Sequence, residues 1–251
     1  MDAEMGDERT VDEVVGTIVS ELRARARPER AQGERAYLKS SLEHWGVGVP
    51  ETRAVVRAAL APRSMPAHDL VVEVAEALWA EPVHERRLAA CQVLTVHVAR
   101  LGPDDLVLVE RLLREARTWA LVDVLAPDVA GPIVVASPEP GGALLDRWNV
   151  DEDFWLRRAS VLALLKPLRA GGGDWDRFCR YADALWEERE FFVRKALGWV
   201  LRDTGRKRPD LVFEFLLPRA ATASGVTIRE AIKPLSDEQR AAVMIARVAP
   251  S

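Results

Sequence analysis

The chain is poor in the residues on which stapled or metal-bound scaffolds depend. Its 251 residues include two cysteines, Cys91 and Cys179, far apart and in no C-x-x-C, so neither a disulfide framework nor a thiolate zinc site is expected. The four histidines, His44, His68, His84 and His97, follow no ligand spacing, and no metal or other cofactor is expected. A Gly-rich phosphate loop is missing, which argues against nucleotide hydrolysis. Alternating β-branched runs are nearly missing too; the best strand candidate, Ile133 to Val135, is three residues long. No apolar run approaches the ~20 residues that span a bilayer, so no membrane partner is expected. The start, MDAEMGDERTVDE, is acidic, unlike a signal or transit peptide, and the expected location is the cytoplasm. Lysine is scarce: five of the 35 basic residues are Lys and the rest Arg.

What is present is a globular composition, 49% hydrophobic and 29% charged, with mean hydropathy close to zero. The net charge of −4 argues by itself against a nucleic-acid partner. The charge is segregated, however. Residues 1–20 carry −5, whereas residues 154–208 carry thirteen basic against seven acidic groups, or +6. The arginine excess suits forked recognition of phosphate, although a GC-rich genome produces the same bias.

Helical periodicity runs through nearly the whole chain in segments of roughly 10–18 residues, separated by short Pro/Gly breaks. These breaks include Gly46 to Pro50, Ser137 to Gly142 and Gly171 to Gly173. Asp151 and Asp174 are candidate caps for the helices that follow them. Short helices in series without strands predict an all-α fold, either an α-solenoid of HEAT-like helix pairs or a compact irregular bundle. A solenoid would be C-shaped, with a concave face able to hold something long. The expected organisation is an acidic tail over 1–10, a candidate for disorder, and one domain over 11–251.

Three helices carry residues that packing alone does not demand. Trp119 and Asp123 are four apart and share one face. Trp155, Arg158, Leu162 and Leu165 follow one stripe, which puts Arg158 toward the core. There it needs an internal partner, such as Asp123 or Asp153, or a charged ligand. In the segment from Phe191, the core stripe runs through Val193, Leu197 and Val200. Lys195, Trp199 and Arg202 fall on the far side, an aromatic flanked by cations. The following GRKRP also reads as a helix end, with Gly205 as the terminating glycine.

Together these segments resemble the AlkD-type DNA glycosylases, the HEAT-like-repeat family of DNA alkylation repair enzymes. The resemblance spans about Ala36 to Lys233. It is carried by AYLKSSLEHWGVGVPETR, ALWAEPVHERRLAA, TWALVDVLAPDVAG, DEDFWLRRASVLALL, EFFVRKALGWVLRDTGRKRPDLVFEFL and TIREAIKPL. The ordered pattern is Trp-x3-Asp, then Trp-Leu-x-Arg, then Gly-Trp-Val-Leu-Arg, with 35 residues from Asp123 to Arg158 and 41 from Arg158 to Trp199. The resemblance implies Asp123 as the catalytic carboxylate, Trp119 and Trp199 as walls around the lesion nucleotide, and Arg158 as a phosphate contact. Tyr37 matches a tyrosine near the family's DNA cleft, and Lys39, Lys195 and Arg202 are the further DNA-binding candidates. Thr118 and Ala120 stand where relatives often carry Trp and Asp, and the Gly171 to Gly173 loop is about two residues longer. Those departures bear on substrate range.

The implied partner is double-stranded DNA containing alkylated purines, bound by a monomer. The implied reaction is hydrolytic excision of cationic N3- or N7-alkylpurines without base flipping. A cationic base leaves readily, so no general acid is needed; an ionised Asp123 would stabilise the oxocarbenium-like sugar and orient water. Two other readings stand beside it: self-resistance against bulky natural alkylating agents, and a non-catalytic DNA- or protein-binding scaffold.

Overall fold

The computed structural model describes residues 10–60 and 66–248, so the expected acidic tail lies, up to residue 9, outside the described residues. Among those described there is no strand, only an isolated parallel bridge between Glu43 and Val83. In chain order the helices are α1 (Val11–Ala24), α2 (Pro28–Leu38), α3 (Val49–Ala59), α4 (His68–Trp79), α5 (His84–Val96), α6 (Leu106–Ala116), α7 (Trp119–Val124) and α8 (Gly131–Ala136). There follow α9 (Pro138–Asn149), α10 (Phe154–Leu162), α11 (Leu165–Arg169), α12 (Trp175–Ala184), α13 (Phe191–Gly205), α14 (Pro209–Leu216), α15 (Gly225–Ala231) and α16 (Asp237–Val248). The all-α expectation holds.

Two compact units are distinguished. The first comprises the residues up to Asp105 together with Ala116–Val124. Its α1 starts at a capping box in which Thr10 and Glu13 satisfy each other's backbone N–H, and it buries Val14, Ile18 and Leu22 along one stripe. Helix α4 buries Val71, Val74, Ala75 and Leu78 at the same helical spacing. Helices α1, α3 and α4 pack around α5, whose far side meets α7. Helix α2 is different. Of its eleven residues only Ala31 is buried, and no apolar stripe anchors it.

The second unit comprises Leu106–Glu115 and the chain from Leu125 onward. Here α13 is the central element, packed on α10, α11, α14 and α15, while α10 also meets α9 and α12. The stripe expected on α13 is buried at Val193, Leu197 and Val200. Gly198 allows α15 to approach closely, since a Cβ there would stand 2.8 Å from Glu230 Cβ and 3.0 Å from the Thr227 carbonyl.

Several local expectations are corrected. The break expected over Ser137 to Gly142 narrows to Ser137 alone, between α8 and α9: Pro138 and Pro140 occupy the first turn of α9, where a missing N–H costs nothing. Ile133 to Val135, the best strand candidate, belongs to helix α8. The cap of α10 is Asp153, which accepts from the Trp155 N–H at 2.8 Å; Asp151 instead accepts from the Asp153 N–H and pairs with Arg114. Asp174 caps α12 as expected. Gly205 is the last helical residue of α13, not a left-handed terminator; its missing Cβ leaves room for Pro234, whose Cγ a Cβ would meet at 2.7 Å. The basic residues after it serve other carbonyls: Lys207 donates to Ala170, and Arg208 to Gly172 at 2.9 Å.

The run Trp119–Ala136 is, among the described residues, the helical stretch long and apolar enough to cross a membrane by length and composition, and more than half of it is buried within the fold. That burial is the mark of a core helix. Over Leu125–Ala130 the run widens into a π-helix. Pro127 lacks the N–H that would bond the carbonyl four residues earlier, which is one physical cause of such a widening.

Candidate active site

In the first unit the chain enters α7 through Arg117, held at a left-handed φ of 48°, and through Thr118. Thr118 is buried, its Oγ1 accepts from the Ala120 N–H at 3.4 Å, and its carbonyl accepts from the Leu121 N–H. The residue that departs from the family pattern thus serves as the cap of α7. Leu121 and Val122 turn into the core, which leaves Trp119 and Asp123, one turn apart, half-buried on the other side. Tyr37, 72% exposed near the end of α2, sets its ring edge against Trp119, with centroids 5.8 Å apart and planes at 88°. The sequence motifs for Tyr37, Trp119 and Asp123 therefore converge within this unit. Lys39, exposed and left-handed at φ 49°, ends α2 beside them in sequence.

In the second unit Arg158 is 1% exposed, as its place on the α10 stripe requires. Its Nη1 donates to the Phe192 carbonyl, and its guanidinium lies 6.0 Å from the Phe192 ring centroid. Phe192 in turn packs tilted against Trp155, with centroids 5.1 Å apart and planes at 36°, so the start of α13 is fastened to α10 through this arginine and its aromatic surroundings.

Trp199 is half-buried on α13, and its Nε1 donates to Asp203 Oδ2 at 3.2 Å. Asp203 is the organising group. It is 3% exposed, accepts from Arg202 Nε at 3.2 Å, and pairs with Arg169 from α11. Burial pushes the Asp203 carboxyl up, but the hydrogen bond from Arg202 and the charge of Arg169 outweigh it and hold the group below the ordinary carboxylate range. Arg202 is also paired with Glu230 of α15, so the cation expected at a DNA surface is here committed to two carboxylates. Lys195 is exposed, four residues before Trp199.

The sequence reading missed Asp203, although its signal was present: Trp199-x3-Asp203 repeats the Trp119-x3-Asp123 spacing. It also missed a set of groups with metal-ligand chemistry. Glu34, His44 and Glu85 bring their donor atoms within 4.8 Å of one another in the first unit.

Comparison with known proteins gives a consistent result. The family described as DNA alkylation repair enzyme matches residues 18–235. A solved structure titled "Predicted DNA alkylation repair enzyme from Enterococcus faecalis" superposes with a TM-score of 0.73 at 22% identity, covering 84% of this chain and 97% of that one. At that identity the likeness shows the fold, an all-helical array of HEAT-like pairs. No curated protein matches. With a family match over most of its length and an all-helical fold to go with it, the chain belongs to the DNA alkylation repair enzyme family, and its role is in the repair of alkylated DNA.

Proposed function

We propose that the protein is a DNA glycosylase that hydrolyses the N-glycosidic bond of cationic N3- and N7-alkylated purines in duplex DNA. It would act as a monomer, leaving the base stacked. The observation that carries the reading is the α7 arrangement: a carboxylate and an indole one turn apart, both half-buried, with a tyrosine edge against the indole.

The chemistry follows from charge. A purine alkylated at N3 or N7 is already a cation and departs without protonation, so one carboxylate suffices. Asp123, ionised, opposes the positive charge that passes to the sugar and holds the attacking water. Trp119, one turn from Asp123, offers its face to the cationic nucleoside, worth ~0.5–2 kcal/mol in cation–π attraction. Arg158, which the resemblance implies as a phosphate contact, is 1% exposed and bonded to the Phe192 carbonyl, so it fastens α10 to the start of α13 and would meet phosphate only on turning outward. If the base stays stacked, no pocket need enclose it and bulky adducts are admitted too, which makes self-resistance a second biological setting for the same reaction.

Incubation of the protein with a duplex carrying a single 7-methylguanine tests the reading. Release of free 7-methylguanine with an abasic strand is expected. Salt-dependent binding of the duplex with no base release would replace the enzyme by a binding scaffold.

A further inference from the structure

The bridge between Glu43 and Val83 has a consequence beyond topology. Glu43 N–H donates to the Pro82 carbonyl at 3.0 Å and His84 N–H to the Glu43 carbonyl at 2.8 Å. That register puts His44 beside His84, and the two rings stack at 4.5 Å with planes 10° apart. The next residue along, Glu85, is 0% exposed and takes three backbone N–H groups from the loop: Trp45 at 2.9 Å, Gly46 at 2.6 Å and Val47 at 3.1 Å. Glu34 reaches the same place from α2. Arg30 occupies its Oε1 through Nε at 2.9 Å and Nη2 at 2.7 Å.

The atoms left over point to a ligand. Glu34 Oε2 and both ring nitrogens of His44 are shut from solvent without a hydrogen-bond partner. A neutral imidazole carries one donor and one acceptor, and leaving both unsatisfied away from water is costly. An imidazole nitrogen and two carboxylate oxygens are also the donor set that a borderline divalent cation takes.

We propose that Glu34, His44 and Glu85 form a zinc-class divalent-cation site that clamps α2 to α5, with water completing the coordination. The donors now lie within 4.8 Å of one another. Zinc bonds of about 2.0–2.2 Å require them about 3.3–3.6 Å apart, a closure within reach of the Glu34 side chain swinging inward. The clamp accounts for an otherwise weakly held helix. With only Ala31 buried, α2 has little apolar anchorage; polar contacts such as the Arg27 N–H to the Trp45 carbonyl at 2.7 Å and Arg27 to Glu51 hold its start. Glu34 lies three residues before Tyr37 on the same helix, so the ion would steady the ring that braces Trp119.

Isothermal titration of metal-free, full-length protein with zinc chloride tests this in the absence of DNA, so its outcome is independent of any glycosylase activity. One equivalent is expected to bind, with visible d–d bands when cobalt(II) is used as the probe. His44→Ala should weaken binding on the order of 100-fold and Glu34→Gln at least about tenfold, whereas His68→Ala, at the exposed His68–Asp105 pair, should leave it unchanged. The His44 ring makes no hydrogen bond but stacks on His84, so His44→Ala should lower the metal-free melting temperature only by the loss of that contact and remain folded by circular dichroism. Absence of zinc binding, or equal binding by wild type and His44→Ala, would overturn the proposal.

Discussion

Replacing Asp203 by Asn removes one charge while retaining shape and an acceptor for the Trp199 indole. In the native protein that carboxylate takes Trp199 Nε1 and Arg202 Nε, each at 3.2 Å, and is paired with Arg169. A hydrogen bond to a charged group is worth ~1.5–3 kcal/mol when shielded. The two arginine side chains are 26% and 46% exposed, which reduces each contribution toward ~1 kcal/mol, and Asn escapes part of the cost of burying a charge. Asp203→Asn should therefore lower stability by about 1–2 kcal/mol near neutral pH, read by urea denaturation. The sign of the pH dependence follows from the native carboxyl lying below its ordinary value. The wild-type advantage is complete above the unfolded-state value of about 3.9 and is lost as pH falls through the lower native value, where Asp203 itself becomes neutral. Equal stabilities at pH 7, or a gap that widens on acidification, would refute the claim that this charge organises the end of α13.

Two further substitutions test the packing that positions the site. Gly198→Ala places a Cβ 2.8–3.1 Å from Glu230 Cβ and the Thr227 backbone. The forced separation of α13 and α15 should outweigh the better helix propensity of Ala and cost a net ~1–2 kcal/mol in chemical denaturation. An unchanged midpoint would mean that the interface has slack. Gly46→Ala is harsher, since Gly46 has φ 79° and a Cβ would come 2.3 Å from the Arg27 carbonyl. Thermal unfolding should reveal a loss of about 3 kcal/mol or more, with α2 displaced; a variant within ~1 kcal/mol of wild type would contradict the described contact between the loop and α2.

Much of the fold was legible because helical periodicity is a local signal. The α13 stripe of Val193, Leu197 and Val200 and the core-facing position of Arg158 follow from 100° steps alone, and both are buried as expected. Misreadings arose where one residue type serves two opposite roles. Pro138 and Pro140 look like a break in sequence yet start a helix, because a first turn has no use for those N–H groups. Gly205 looks like a terminator yet is small for the sake of Pro234, a neighbour 29 residues away that periodicity cannot see. The candidate site divides in the same way. Trp119 and Asp123 share a turn, and their common face is visible in the string. The grouping of Glu34, His44 and Glu85 depends on a two-rung bridge between distant segments, which no local spacing encodes. Asp203 follows from the same four-residue arithmetic, but the cations flanking Trp199 are a signal of solvent exposure that competes with it.

The central claim is that Asp123 acts on the sugar once the alkylated base begins to leave. Single-turnover release of 7-methylguanine from a defined duplex, compared between wild type and Asp123→Asn at saturating protein, tests it most directly. The account predicts unchanged duplex affinity with release slowed by about 100-fold or more, the ~3 kcal/mol expected when a preorganised charge opposite a developing cation is removed. Equal release rates for the two proteins would contradict it.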